Sequence, residues 1–248
     1  MENTDFKKVL EFCEKEKLYF GEGNPNAKIL FVGQEIGFGD TKEKEPSIDE
    51  IIKRAEKYTN ENLCNWFKHC MFGIEQYLKN MEQQKTNPTW SSYQKIFNCI
   101  LGRDINEKHF DFLNDSFITE FSQLSLPKSS YLKNNKEFFE IKKQSINERK
   151  KLFIENDFFK NFPIIIMACG HYPKDFDFDI QGIFNVEFIE KKNYNDYWYN
   201  IHYNKDFETQ GVNKVLIHTR QLSNFRDKKA NYECLFSKIA ELCKPFYK

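Results

Sequence analysis

Two short segments of this chain carry residue types that could do chemistry. In Gly33-Gln34-Glu35-Ile36-Gly37 a carboxylate stands just past an apolar run, and glycines on both sides allow backbone to approach a ligand closely. A polar loop tip would have the same composition. The segment is no phosphate-binding loop, since neither G-x-G-x-x-G nor G-x-x-x-x-G-K is present. In His218-Thr219-Arg220-Gln221-Leu222-Ser223-Asn224-Phe225-Arg226, a histidine is joined by two arginines, two hydroxyls and a leucine. Arginine and hydroxyl groups suit phosphate oxygens, and a protruding Leu222 is the kind of wedge that enters a base stack. A solvated helix-capping loop is the alternative.

Both segments begin where an apolar run ends. Residues 27 to 32 and 215 to 217 read as buried strands, as do 115 to 119 and 162 to 170, the last again ending in glycine. Helical spacing marks 5 to 18, two helices within 47 to 82, Ser91 to Leu101 after the Asn87-Pro88 break, 135 to 156, and 228 to 243. Residues 172 to 212 are the least legible, with alternation near 186 to 189 and an aromatic run from Tyr197 to Tyr203 that would suit extra strands. Four strands separated by helices predict an α/β fold. The form expected is a three-layer α/β/α sandwich on a central, mostly parallel four-stranded sheet, with its site outside the carboxyl ends of the strands. No repeat or low-complexity linker divides residues 1 to 248, so one domain is expected.

Composition narrows the classes. The 248 residues are 40% hydrophobic, and 26 Phe with 12 Tyr help bring aromatics to 17%, which excludes a disordered chain. Lys plus Arg and Asp plus Glu number 37 each, so no net positive field draws the molecule to polyanions, although a local basic face remains open. Lysine-rich stretches from Lys128 to Lys151 and at Lys228-Lys229 would suit a DNA-facing rim or solvated helix faces. No apolar run approaches the roughly 18 residues of a membrane span, and the charged N-terminus is no leader, so a cytoplasmic protein is expected. Seven cysteines at 13, 64, 70, 99, 169, 234 and 243 contain no C-x-x-C and predict buried thiols rather than a metal site. No metal or cofactor is expected.

The two segments together resemble motifs of the uracil-DNA glycosylase superfamily. Gly33-Gln34-Glu35 is similar to its first motif, Gly-Gln-Asp after a buried strand. His218, Leu222, Ser223, Phe225 and Arg226 match in order and spacing its last motif, His-Pro-Ser-Pro-Leu-Ser followed by an aromatic and an arginine. The run Ile164 to Gly170 resembles the strand between them, and residues 40 to 88 stand as a helical insertion. The resemblance implies a monomeric enzyme that flips a base out of single- or double-stranded DNA and hydrolyses its bond to the sugar. Glu35 and His218 are then the catalytic candidates, one orienting water, the other bonding the base oxygen that becomes anionic. Gln34, Glu120, Trp90 and Phe38 are the base-binding candidates. Arg220, Leu222, Ser223 and Arg226 would contact DNA, while His171 at another strand end has a structural or capping role as its plainer reading.

Departures from the motif bear on the substrate. Glu35 is one methylene longer than the family's aspartate, and Ile36 and Thr219-Arg220-Gln221 replace its prolines. Glu120 stands where the resembling strand ends in a uracil-reading asparagine. An ionised glutamate only accepts hydrogen bonds, so it would reject O4 of uracil and favour an exocyclic amino group such as N4 of cytosine; a protonated one would donate to N3 of cytosine. A cytosine-type or modified base is therefore expected in a base-excision role such as repair. Two other classes stay open: a binding protein that has lost catalysis, and a hydrolase of free nucleosides or nucleotides.

Overall fold

The computed structural model describes residues 4–36, 46–72, 88–107, 109–125, 135–194, 197–222 and 229–247. They form an α/β fold around a seven-stranded mixed sheet. The strands are β1 (Glu22–Gly23), β2 (Ile29–Glu35), β3 (Ser116–Ser122), β4 (Ile164–Met167), β5 (Val186–Tyr194), β6 (Tyr197–Asn204) and β7 (Val215–Thr219). Their order is β1-β3-β2-β4-β7-β6-β5. The middle four are mutually parallel and are the four apolar runs of the sequence, while β1 at one edge and the β5–β6 hairpin at the other pair antiparallel.

The sheet thus has seven strands where four were expected. Two of the additional ones, β5 and β6, contain the segments near 186 to 189 and Tyr197 to Tyr203 that suited extra strands, while β1 and β5 carry weak patterns for physical reasons. β1 is two residues long, and β5 is an edge strand exposed along most of its length, so it lacks a clean in-and-out alternation.

The longer helices are α1 (Thr4–Glu16), α2 (Ile48–Phe72), α3 (Pro88–Ile100), α4 (Lys136–Glu155) and, at the C-terminal end, α8 (Lys229–Cys243). Three helices of four or five residues, α5 (Tyr172–Asp175), α6 (Ile180–Phe184) and α7 (Phe207–Gln210), lie between. Instead of two helices from 47 to 82, α2 runs unbroken for 25 residues to Phe72, because no Gly or Pro interrupts it; residues 73 to 82 lie outside the described residues. Ser47 and Glu50 open it with reciprocal bonds, Glu50 Oε2 accepting from the Ser47 amide at 2.7 Å and the Glu50 amide donating to Ser47 Oγ at 3.3 Å. α2 buries Leu63 and Trp66 in the common core, and the Trp66 indole donates to the Gly21 carbonyl at 2.6 Å.

Helices cover both faces of the sheet. Phe31 of β2 stacks on Tyr93 of α3 at 4.2 Å, whereas Thr119 of β3, which is paired with Val32 and so projects from the opposite face, bonds Arg149 of α4. Ile29 to Val32, Ile164 to Met167 and Val215 to Ile217 are fully buried between these layers. Cys13, Cys169 and Cys243 are buried thiols as expected, while Cys64 is exposed on α2. No helix among the described residues is long and apolar enough to cross a membrane.

Candidate functional site

The register of the parallel strands decides which residues meet at their carboxyl ends. Val32 is paired with Met167 and Met167 with His218, while Gly33 is paired with Glu120 and Glu35 with Ser122. Gln34, Glu35, Glu120, Gly170 and His218 therefore rise from one end of the sheet, where α/β folds form their sites. Gly170 links the two segments singled out in the sequence. Its φ of 62° suits glycine, and a methyl group there would stand 4.0 Å from both Gln34 Nε2 and the Gln221 amide.

Glu35 is the last residue of β2, its side chain 11% exposed. Tyr172 donates its hydroxyl to Glu35 Oε2 at 2.7 Å, and Lys142 of α4 pairs with the same oxygen. The Lys142 side chain is fully buried. It donates also to the Leu124 carbonyl at 3.1 Å and lies 5.0 Å from the centre of the Tyr172 ring. Burial pulls the Lys142 pKa down, and the Glu35 carboxylate works against that. Burial, and then the field of Glu35, push the Tyr172 hydroxyl well above its ordinary range. Glu35 is thus a fixed carboxylate, with one oxygen anchored by two donors.

Glu120 is held differently. It lies across Gly33, where an added methyl group would land on its carboxyl, so the absence of a side chain at 33 is what admits it. Its Oε2 is buried without a hydrogen-bond partner among the described residues, although the residue as a whole keeps part of its surface in solvent. Arg149 is fully buried but spends its donors elsewhere: on the Glu120 backbone carbonyl and Thr119 Oγ1, both at 2.8 Å, and on the Tyr19 carbonyl. Burial raises the Glu120 pKa to about 8; Arg149 opposes the shift, and the carboxylates of Glu35 and Glu22 add to it. The Tyr93 hydroxyl is another buried polar atom without a partner among the described residues, and its own pKa is raised by burial and then by Glu120.

His218 is 7% exposed and is engaged through both ring nitrogens. Nε2 lies 2.8 Å from the Gly170 carbonyl, which can only accept, so that nitrogen carries the proton; Nδ1 lies 3.4 Å from the Asn200 amide nitrogen and accepts from it. Burial lowers its pKa to about 4, leaving a neutral ring. As the site stands, His218 therefore donates to its own backbone and offers no proton to a base. Trp198 packs edge-on against it at 5.0 Å and stacks with His171 at 5.4 Å, so His171 serves packing at this rim.

Leu222 corrects the sequence reading most sharply. It is fully buried in the core, and its carbonyl accepts from Ser92 Oγ of α3 at 2.7 Å, so it is no protruding wedge. Leu222→Ala is expected to lower stability by about 2–5 kcal/mol through the cavity it leaves. Urea denaturation would measure that loss, with any activity per folded molecule unchanged. Arg220 does reach the rim, its guanidinium 5.1 Å from the centre of the Tyr197 ring. Trp90 has Phe110 stacked on it at 6.1 Å and Phe112 at its edge, a packing role that occupies one face of the indole. Phe38, Ser223, Phe225, Arg226 and Lys228 lie outside the described residues, as do 128 to 134 of the lysine-rich stretch.

Sequence reasoning passed over Lys142, Arg149 and Tyr172. The first two sit on the buried face of α4 with Phe138, Ser145, Ile146, Leu152 and Phe153, so the lysine-rich stretch, whether read as a DNA-facing rim or as solvated helix faces, turns two of its cations inward. The signal was present: both stand at core positions of the helical repeat.

These shifted groups predict how stability follows pH. Glu120 keeps its proton in the folded chain up to about 8 against an ordinary value of 4.5. The folded state then binds more protons between those values, and this contribution, complete below 4.5, is lost as pH rises through about 8. His218 acts oppositely: its contribution is present above 6.5 and lost as pH falls toward about 4. Urea denaturation from pH 4 to 9 is expected to show a fall on the alkaline side that Glu120→Gln reduces, the remainder coming from Glu22, whose pKa burial raises from 4.5 to about 7 against the Tyr58 hydrogen bond. Comparison of the chain with family models, with curated proteins and with solved structures finds no match.

Proposed function

We propose that this protein is a DNA glycosylase, a monomeric cytoplasmic enzyme on a three-layer α/β/α frame. It would flip a pyrimidine out of DNA and hydrolyse its N-glycosidic bond, with a cytosine-type or modified base as the expected target. The observation that carries this reading is the pair of unlike carboxyls at one end of the sheet: Glu35, anchored by Lys142 and Tyr172, beside Glu120, buried on one oxygen and without a partner for it among the described residues. Two carboxyl groups in environments this different divide into a reaction group and a recognition group.

In the proposed step Glu35 orients water toward C1′ of the flipped nucleotide. The water oxygen bonds C1′ as the C1′–N bond breaks, and that electron pair leaves with the base. One water proton stays on the new sugar hydroxyl; the other passes through Glu35 to the departing nitrogen. The anchored carboxylate also opposes the positive charge that builds on the sugar. Glu120 holds the base edge. His218 takes part only by exchanging the Gly170 carbonyl for a base oxygen, as a neutral donor. Arg220, at the rim, would meet a phosphate.

Oligonucleotides bearing uracil, cytosine, 5-methylcytosine or bulkier cytosine modifications test this, read out as alkali-labile abasic sites. Release of a cytosine-type base, abolished by Glu35→Gln, is the expected result. Release of uracil alone would remove the cytosine preference and keep the glycosylase.

One observation favours a second reading, a nucleic-acid-binding protein without catalysis: the charge of Glu35 is already matched by a buried lysine. Retained DNA affinity with no abasic sites on any substrate would establish it.

A further inference from the structure

We propose that Glu120 meets its ligand as a neutral carboxylic acid, one oxygen donating and the other accepting, and so reads any pyrimidine edge that sets a hydrogen-bond donor beside an acceptor. The inference rests on the glycosylase reading of this same site and goes beyond it in widening the substrate class.

Geometry carries the argument. Three carboxyl groups, Glu22 of β1, Glu35 of β2 and Glu120 of β3, are close enough for Glu120 to feel the charge of the other two. Two of them are supplied with donors: Glu35 by Lys142 and Tyr172, Glu22 by the Tyr58 hydroxyl at 3.0 Å. Glu120 Oε2 has none among the described residues. The cations that pack nearby, Lys142 and Arg149 of α4, are committed to Glu35 and to backbone and hydroxyl oxygens, respectively. From the remaining elements the groups in its field are Tyr58 of α2, Tyr93 of α3 and Cys169 after β4, all kept neutral by burial. A carboxylate here would be buried on one side beside Glu35 and a Glu22 whose own pKa burial raises to about 7, with no donor among the described residues to hold its Oε2, and the least costly escape is to keep its proton. The pKa of about 8 agrees with that placement.

The chemical consequence follows from counting donors and acceptors. An ionised glutamate offers two acceptors and repels O4 of uracil and N3 of cytosine alike. A neutral acid offers O–H and C=O side by side, as an amide offers N–H and C=O. It donates to N3 of cytosine while accepting from N4–H. With the proton on its other oxygen it donates to O4 of uracil while accepting from N3–H. The ground on which a neutral Glu120 would reject uracil is therefore gone, and when Glu120 ionises each base keeps the bond from its N–H but loses the donor to its acceptor, N3 of cytosine or O4 of uracil.

Two measurements separate this inference from the reading beneath it. In the ligand-free protein, the side-chain carboxyl resonance of 13C-labelled Glu120, assigned by its disappearance in Glu120→Gln, is expected to titrate near pH 8; a midpoint in the ordinary glutamate range overturns the inference whatever the enzyme excises. Excision of cytosine or uracil by the native protein is expected to fall about tenfold per pH unit above that midpoint. In Glu120→Gln, whose amide keeps a donor and an acceptor at every pH, it is expected to stay level from pH 7 to 9.5. An equal fall in both proteins overturns the inference. If neither excises any base, the glycosylase reading fails and the affinity of the same oligonucleotides decides. Weakening above pH 8 in the native protein alone supports a neutral reader; equal affinities overturn it.

Discussion

Replacing Glu35 by leucine is expected to destabilise the protein by about 3–5 kcal/mol and to abolish excision, and adding Lys142→Met is expected to restore the stability without the activity. The Lys142 side chain is fully buried, and among the described residues its anionic partner is Glu35. Removing that carboxylate leaves a cation in the interior with only the Leu124 carbonyl and the face of Tyr172 for company. Removing the lysine as well exchanges a stranded charge for an apolar chain of similar length, which buried ion pairs commonly tolerate. Excision behaves otherwise, because a group that orients water contributes on the order of 10²–10⁴-fold and a methionine elsewhere does not replace it. Urea denaturation and abasic-site formation on the single and double variants separate the two effects. Activity that returned with Lys142→Met would show that Glu35 serves only to neutralise the lysine, and would move the function to the binding protein.

Gly33→Ala is expected to leave stability nearly unchanged and to lower excision about 100-fold, the scale of a displacement of roughly 1 Å at a reacting constellation. The new methyl group would land on the Glu120 carboxyl, the far end of a flexible side chain that can move aside. No positive φ at Gly33 demands glycine, and exchanging glycine for alanine in a strand recovers some chain entropy. What shifts is the position of the reading carboxyl. Combining Gly33→Ala with Glu120→Asp, one methylene shorter, is expected to recover part of the lost rate. Thermal melts alongside the abasic-site assay would measure both. Normal excision by Gly33→Ala would remove Glu120 from the base-reading role.

The legibility of each site residue tracked the range of the interactions that define it. Glu35 and His218 could be found because each closes an apolar run, a pattern local to six or seven residues. Leu222 misled because a leucine among polar residues looks exposed, whereas it is buried in the common core, with its backbone carbonyl held by Ser92, 130 positions away in the chain. Lys142 was read by its charge, but its orientation is set by the helical repeat of α4, which turns it inward beside Phe138 and Ile146.

The sequence by itself determined the four parallel strands, the main helices near them and the end of the sheet where polar residues gather, because apolar periodicity and glycine or proline breaks act over short distances. Tertiary structure alone decided what those polar residues can do. The pairing of Gly33 with Glu120 places an unpartnered carboxyl over a bare backbone, α4 carries a lysine 107 positions along the chain back to Glu35, and the Gly170 carbonyl takes up the His218 proton. Charge state and hydrogen-bond partners depend on burial and on neighbours remote in sequence, and only the folded sheet brings them together.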